Sequence, residues 1–195
     1  AQLYMLLQLH AYRFQIEEKN KMDDSSYSRQ QLDDLFLKMI AYYAGDPKRI
    51  QHFTKVHSYA RIIGVGEEMD AASLFILEAA AYTHDIGIKP AEEKYGSSDG
   101  KLQEQEGPIV AQKMLSELGF ENYLIERICY LIGHHHTYTN VDGLDYQVLI
   151  EADFLVNLYE DDANRGAVMK AYENIFRTQT GRKIFREMFW DGEEP

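Results

Sequence analysis

Asp70-Ala71-Ala72-Ser73-Leu74-Phe75-Ile76-Leu77-Glu78-Ala79-Ala80-Ala81-Tyr82-Thr83-His84-Asp85-Ile86-Gly87 opens on a residue suited to capping a helix and runs on almost wholly apolar. The spacing predicts a helix from Ala71 to about Asp85, buried in character around Ala79-Ala80-Ala81-Tyr82, with Gly87 and Pro90 terminating it. Upstream, Asp46-Pro47 reads as an N-cap and first helical residue, opening a helix that carries Ile50, His52, Phe53, Val56, Ala60 and Ile63 until Gly64 and Gly66 stop it. Before that, Leu32, Leu35, Phe36, Met39, Ile40 and Tyr43 share one helical face, with Ser28 and Gln31 as a capping box and an end near Gly45.

Downstream, helices are expected at 101–118 and 121–135, the latter with Ile125, Ile128, Leu131 and Ile132 inward, then from a cap at Asp145 to about Tyr159, and at 164–177 and 181–190. The segments Gly96–Gly100 and Thr137–Gly143 are rich in turn formers and read as loops, which makes them the candidates for substrate specificity. No period-two alternation and no internal repeat is present, so the fold class is all-α. The start, residues 3–18, reads as an additional amphipathic helix, and Glu17 to Ser26 as a polar linker. The apolar opening lacks a basic leader and is broken by Gln8, His10 and Arg13, which argues against a signal peptide. The expected division is therefore an N-terminal helix and linker over 1–27 and one helical domain over 28–195.

Twenty Lys and Arg against 32 Asp and Glu leave a net charge of −12, which argues against a general clamp for nucleic acid or anionic lipid. No apolar run approaches the roughly 20 residues of a membrane span, so no membrane partner is expected. The single cysteine, Cys129, excludes an internal disulfide framework and a cysteine zinc cluster, and suits a cytoplasmic location. Any metal must be held by His and carboxylate.

Four polar residues stand on faces otherwise apolar: His52, His84, Asp85 and Asp153. Taken singly, each has a plain structural explanation. A buried His is usually a core residue with one hydrogen bond, and an inward Asp can cap a helix or pair with Arg61 or Arg127. Jointly, two imidazoles and two carboxylates on separate helices supply a nitrogen and oxygen site suited to Mn, Fe, Zn, Co or Ni, with positions left open for water.

These residues carry a family resemblance. His84-Asp85-Ile86-Gly87 spells HDIG, and the order His52, His84-Asp85, Asp153 resembles the pattern of the HD-domain metal-dependent phosphohydrolase superfamily. Arg49-Ile50-Gln51-His52 with Val56 is similar to that family's first-histidine helix, and Glu151-Ala152-Asp153 to its last-aspartate helix. The resemblance covers about residues 46–160 and implies a single-domain HD-type helical bundle whose four residues bind one metal. Some relatives hold a second ion with two further histidines. Ile132-Gly133-His134-His135-His136 resembles the later of these, with His135 favoured and His134 also a candidate. Glu106, in Glu104-Gln105-Glu106-Gly107-Pro108, stands where the earlier one is usually found, a departure that leaves a carboxylate as the candidate ligand. His136 is expected to be a solvent-exposed helix end.

The resemblance implies hydrolysis of a small phosphorylated molecule, a nucleotide or another phosphate ester, with one or two divalent ions. Asp85 would orient or deprotonate water, and His134 or His135 would protonate the leaving oxygen. Lys89, placed just after HDIG, is a candidate for catalysis and phosphate contact, and Arg49 and Lys55 for substrate binding, with Arg49 alternatively bracing a carboxylate. Two other readings stay open. One is a di-iron oxygenase on the same fold, and the other a non-catalytic module binding a nucleotide or a metal. The first helix offers a surface for a homo-oligomer. The C-terminal Lys170, Arg177, Arg182, Lys183 and Arg186 are scattered as on a solvated face.

Overall fold

The computed structural model describes residues 27–190. The expected helix at 3–18 and its linker lie outside the described residues, apart from the linker's end at Tyr27. Among the described residues there are nine α-helices: α1 (Arg29–Tyr42), α2 (Pro47–Gly66), α3 (Ala71–Thr83), α4 (Ile88–Tyr95), α5 (Gly100–Glu117), α6 (Asn122–Ile132), α7 (Leu144–Glu160), α8 (Arg165–Asn174) and α9 (Gln179–Phe189), with a 3-10 turn, His84–Gly87, between α3 and α4. No strand occurs among the described residues, and no helix among them is long and apolar enough to cross a membrane.

Helix α3 is the hub, packed against α1, α2, α6 and α7. Its Leu77, Ala79, Ala80 and Ala81 are fully buried, as a helix apolar on all sides requires. The alanines add little bulk between α3 and its neighbours. Around them lie Leu35 and Met39 of α1, Phe53, Val56 and Ile63 of α2, Ile128 and Leu131 of α6, and Leu149 and Val156 of α7. The expected inner faces of α1 and α6 are therefore the buried ones.

Local signals set the helix ends. Asp46 accepts from the Arg49 amide at 3.1 Å, with Pro47 at the first helical position. Asp70 accepts from the Ser73 amide at 2.9 Å and from its hydroxyl at 2.7 Å. Removing this cap by Asp70→Ala is expected to lower stability by about 1 kcal/mol, read as a shift in the denaturant midpoint at unchanged slope.

Five expectations are corrected. Ser28 makes no side-chain cap; Gln31, its expected partner, reaches instead to the carbonyls of Leu118 and Gly119 at 3.3 and 3.0 Å. Gly64 does not stop α2. It lies inside α2, close against α3, since a Cβ there would lie 2.9 and 3.0 Å from Leu74 and Leu77 methyls. Helix α3 ends at Thr83, so His84 and Asp85 stand on the 3-10 turn rather than on the α-helix. Pro90 terminates nothing, because it sits in the first turn of α4, where its missing N–H is no loss. Asp145 is not the cap of α7; Gly143 holds that place, and Asp145 is buried in a two-point ion pair with Arg127 at 2.7 and 2.8 Å.

The C-terminal helices are tied to α7 by Glu151. This fully buried carboxylate accepts from the amides of Arg177 and Thr178 at 2.6 and 2.9 Å and from the Thr178 hydroxyl at 2.5 Å. Two residues further along, the same helix carries Asp153.

Candidate metal centre

His52 lies in the first half of α2, Asp153 in the middle of α7, and His84 and Asp85 on the turn that leaves α3. The close packing of α2 against α3 and α7 brings them together. His52 Nε2 is 3.2 Å from His84 Nε2, and Asp153 Oδ1 is 3.2 and 3.4 Å from those two nitrogens. Asp85 Oδ2 stands 3.4 and 3.5 Å from the same pair, while its Oδ1 is 3.5 Å from His135 Nε2. His84 is fully buried and the Asp153 side chain is 6% exposed, but that of Asp85 is 20% exposed, so Asp85 joins the interior to solvent.

The imidazoles are oriented from behind. A carbonyl can only accept, so His84 donates its Nδ1–H to Ala81 at 3.0 Å and His135 donates its own to Ile132 at 2.7 Å. On His52 the Nδ1 is 3.0 Å from Glu160 Oε2, and the other oxygen of Glu160 is 2.5 Å from Lys55 Nζ. Each ring thus turns Nε2 into the cluster. Two Nε2 atoms at 3.2 Å cannot both present lone pairs to one another; a proton or a cation must sit between them. Asp153 Oδ1 and His135 Nε2 are buried without a hydrogen-bond partner. Such orphaned atoms are unfavourable, and a cation bound at each would satisfy it.

The charge balance points the same way. Burial opposes ionisation of Asp85 and Asp153, but the surrounding imidazoles outweigh it and hold both carboxyls well below the usual carboxylate range. Burial likewise opposes a charge on His52, yet Asp153, Asp85 and Glu160 raise it to about 9. Burial opposes a charge on His135 too, and Asp85 and Asp153 bring its value above the ordinary one. Without a cation the carboxylates recruit protons onto the rings, and a divalent ion competes for those same nitrogens. The donor set of His nitrogen and carboxylate oxygen fits such an ion.

Among the described residues, two groups have ligand atoms within 4.8 Å of one another: His52, His84 and Asp153, and Asp85, His135 and His136. Neither Glu106 nor His134 belongs to them. Glu106, 3% exposed, is held by the Lys94 ammonium and by the Tyr95 hydroxyl at 3.0 Å. His134 donates Nδ1–H to the Tyr130 carbonyl at 2.7 Å and stacks on that ring. His136, expected at the surface, is half-buried instead. Its amide donates to Glu104 Oε1 at 3.1 Å, its Nε2 is 3.3 Å from Gln103 Oε1, and its ring lies against Gly100. Burial and the neighbouring His135 push it down to about 4.

The three cations expected at a phosphate have the following partners. Arg49 pairs with Asp46 at 3.2 Å and Glu92 at 2.6 Å, the bracing role, and Lys55 pairs with Glu160. Lys89 is exposed, with Nζ 3.4 Å from the Tyr42 carbonyl and 5.1 Å from its ring centre. Arg61 and Arg127, the alternative partners for an inward Asp, meet Glu78 and Asp145 instead. Sequence reasoning missed Glu160 altogether. The signal was its place seven residues after Asp153, two turns along one helix face.

A family model, the HD domain, matches residues 49–170, more than half of the chain. The chain belongs to the HD-domain family. The match begins three residues into the span of the resemblance and runs ten residues past its end, into α8. The HD chain is also similar to the crystal structure of a predicted HD superfamily hydrolase from an uncultured Thermotogales bacterium, with 26% identity, a TM-score of 0.55, and coverage of 83% of this chain and 84% of the other. No curated protein matches it. HD domains bind divalent metals, and the two groups of ligand atoms are where this chain would hold one.

Proposed function

We propose that this HD chain is a metal-dependent phosphohydrolase acting on a small phosphorylated molecule, a nucleotide or another phosphate ester. One observation supports the reading above all. Two imidazole nitrogens and a buried carboxylate oxygen meet within 3.4 Å with that oxygen lacking any hydrogen bond. His52, His84, Asp85 and Asp153 would hold the ion. When bound, a divalent cation supplies the positive charge that an acidic chain otherwise lacks for a phosphoryl group, and it acidifies water. Asp85 has the exposure needed to meet that water. Its carboxylate would orient that water by accepting its hydrogen bond, or take its proton. The free Cys129 suits a cytoplasmic setting.

Elemental analysis of the purified chain should find one or two transition-metal ions, and a panel of nucleotides and simple phosphate esters should yield a substrate. Chelation should stop phosphate release, and adding back Mn, Fe, Zn, Co or Ni should restore it. Release that continues in chelator and in His84→Ala would rule the reading out.

Asp85 also supports a second reading, since its two oxygens face separate histidine groups: Oδ2 His52 and His84, Oδ1 His135. Two irons held by His52, His84, Asp85, His135 and Asp153 would supply oxygen-dependent chemistry. Two irons per chain together with oxygen consumption would select it over hydrolysis.

A further inference from the structure

We propose that Glu160 is a positioning residue that sets the metal affinity of this site through His52; the inference rests on the metal-binding reading above. One imidazole is clasped between two carboxylates of the same helix. His52 Nε2 is 3.2 Å from Asp153 Oδ1, and His52 Nδ1 is 3.0 Å from Glu160 Oε2. Seven residues separate the two acids on α7, two turns or about 10 Å along the axis. The side chains of the two acids converge on the ring of His52, which lies between their carboxylates.

The other two buried histidines of the clusters, His84 and His135, give their Nδ1–H to neutral carbonyls of their own turn. His52 alone among these three gives it to a charged group from another helix. A carboxylate behind an imidazole fixes the tautomer, holds the ring, and raises the basicity of the nitrogen in front. His52 is therefore the strongest nitrogen donor of the set, and Glu160 is the cause.

The placement of Glu160 is not one that helix stability would select. It is the last residue of α7, where a negative charge opposes the helix dipole. Its side chain is also only 13% exposed, so water compensates it poorly. What compensates it is Lys55, whose ammonium is 2.5 Å from Oε1. Lys55 follows His52 by three residues on α2, so α2 presents both an ammonium and an imidazole N–H to one carboxylate. The ammonium holds one oxygen of Glu160 and leaves the other aimed at His52.

The test is Glu160→Gln, which keeps an acceptor oxygen of the same reach and removes the charge. Cobalt(II) is titrated into the metal-stripped full chain and followed by its visible absorption. Binding is expected to weaken roughly 10–100-fold while His84→Ala abolishes it. If Glu160 were only a structural tie, the variant would melt earlier in the metal-free form and bind cobalt like the parent, and that result would overturn the proposal. A parent chain that takes up no cobalt would overturn both this inference and the reading beneath it. A measurement on the parent stands even where the variant does not fold. In the zinc-loaded chain, long-range nitrogen–proton spectra should show His52 protonated on Nδ1 with a strongly downfield proton. A proton on Nε2 would be equally fatal.

Discussion

Asp153→Ala is expected to strip the chain of metal and reduce turnover to background. Losing a partner behind a ligand costs roughly 10–100-fold in affinity, and Asp153 is a ligand candidate itself, whose Oδ1 both imidazoles face. Its loss should exceed that range. The metal-free fold should suffer less. Breaking a buried ion pair costs about 3–5 kcal/mol when a charge is stranded, but here the positive partner is an imidazole that can shed its proton once Asp153 no longer holds it. His52 also keeps Asp85 and Glu160 nearby. Elemental analysis, phosphate release and a denaturant titration of the same preparation separate the two effects. A variant with no metal and undiminished turnover would leave the proposed mechanism without its centre.

The parts of this site that could be read from sequence are those where a polar residue interrupts an apolar face. His52 between Ile50, Phe53 and Val56, and Asp153 between Leu149, Ile150 and Val156, stand out because ionisable groups do not enter a core without a partner. Eight of the nine helices among the described residues were legible in the same way, and on α1 and α6 the apolar stripe named the buried side; α4 was not expected, because Gly87 and Pro90 read as terminators. A stripe says which face is inside and is silent on what it meets there. Glu106 illustrates the difference: it is inward, as its position suggests, yet Lys94 and Tyr95 engage its carboxylate. His136 errs in the opposite direction. After α6 ends at Ile132, helical spacing no longer applies, and the turn swings His136 against Gln103 and Gly100 rather than into solvent. Glu160 escaped notice because an acid at a helix end, next to the exposed Tyr159, looks like solvated surface.

Gly87→Ala is expected to be the most damaging single methyl in the His84–Gly87 turn. A Cβ there would lie 2.4 Å from the Gln103 carbonyl oxygen and 2.8 Å from the Gly107 amide nitrogen. Both are backbone atoms of α5, so no rotamer change relieves the clash, and α5 must back away from the turn. Overpacking typically costs 1–3 kcal/mol, and a contact with main chain belongs at or above the top of that range, about 3 kcal/mol. The damage should reach the metal site as well, because α5 carries Gln103 and Glu104, which hold His136, and because Gly87 ends the turn bearing His84 and Asp85. Gly45→Ala is the control. Gly45 has φ of +89° and no atom within 4 Å of its would-be Cβ, so the change should cost about 1–2 kcal/mol through backbone strain alone and leave cobalt affinity untouched. Thermal melts and cobalt titrations on both variants distinguish local strain from displacement of α5. If Gly87→Ala binds cobalt as tightly as Gly45→Ala does, then the His84–Gly87 turn does not depend on α5 for its position.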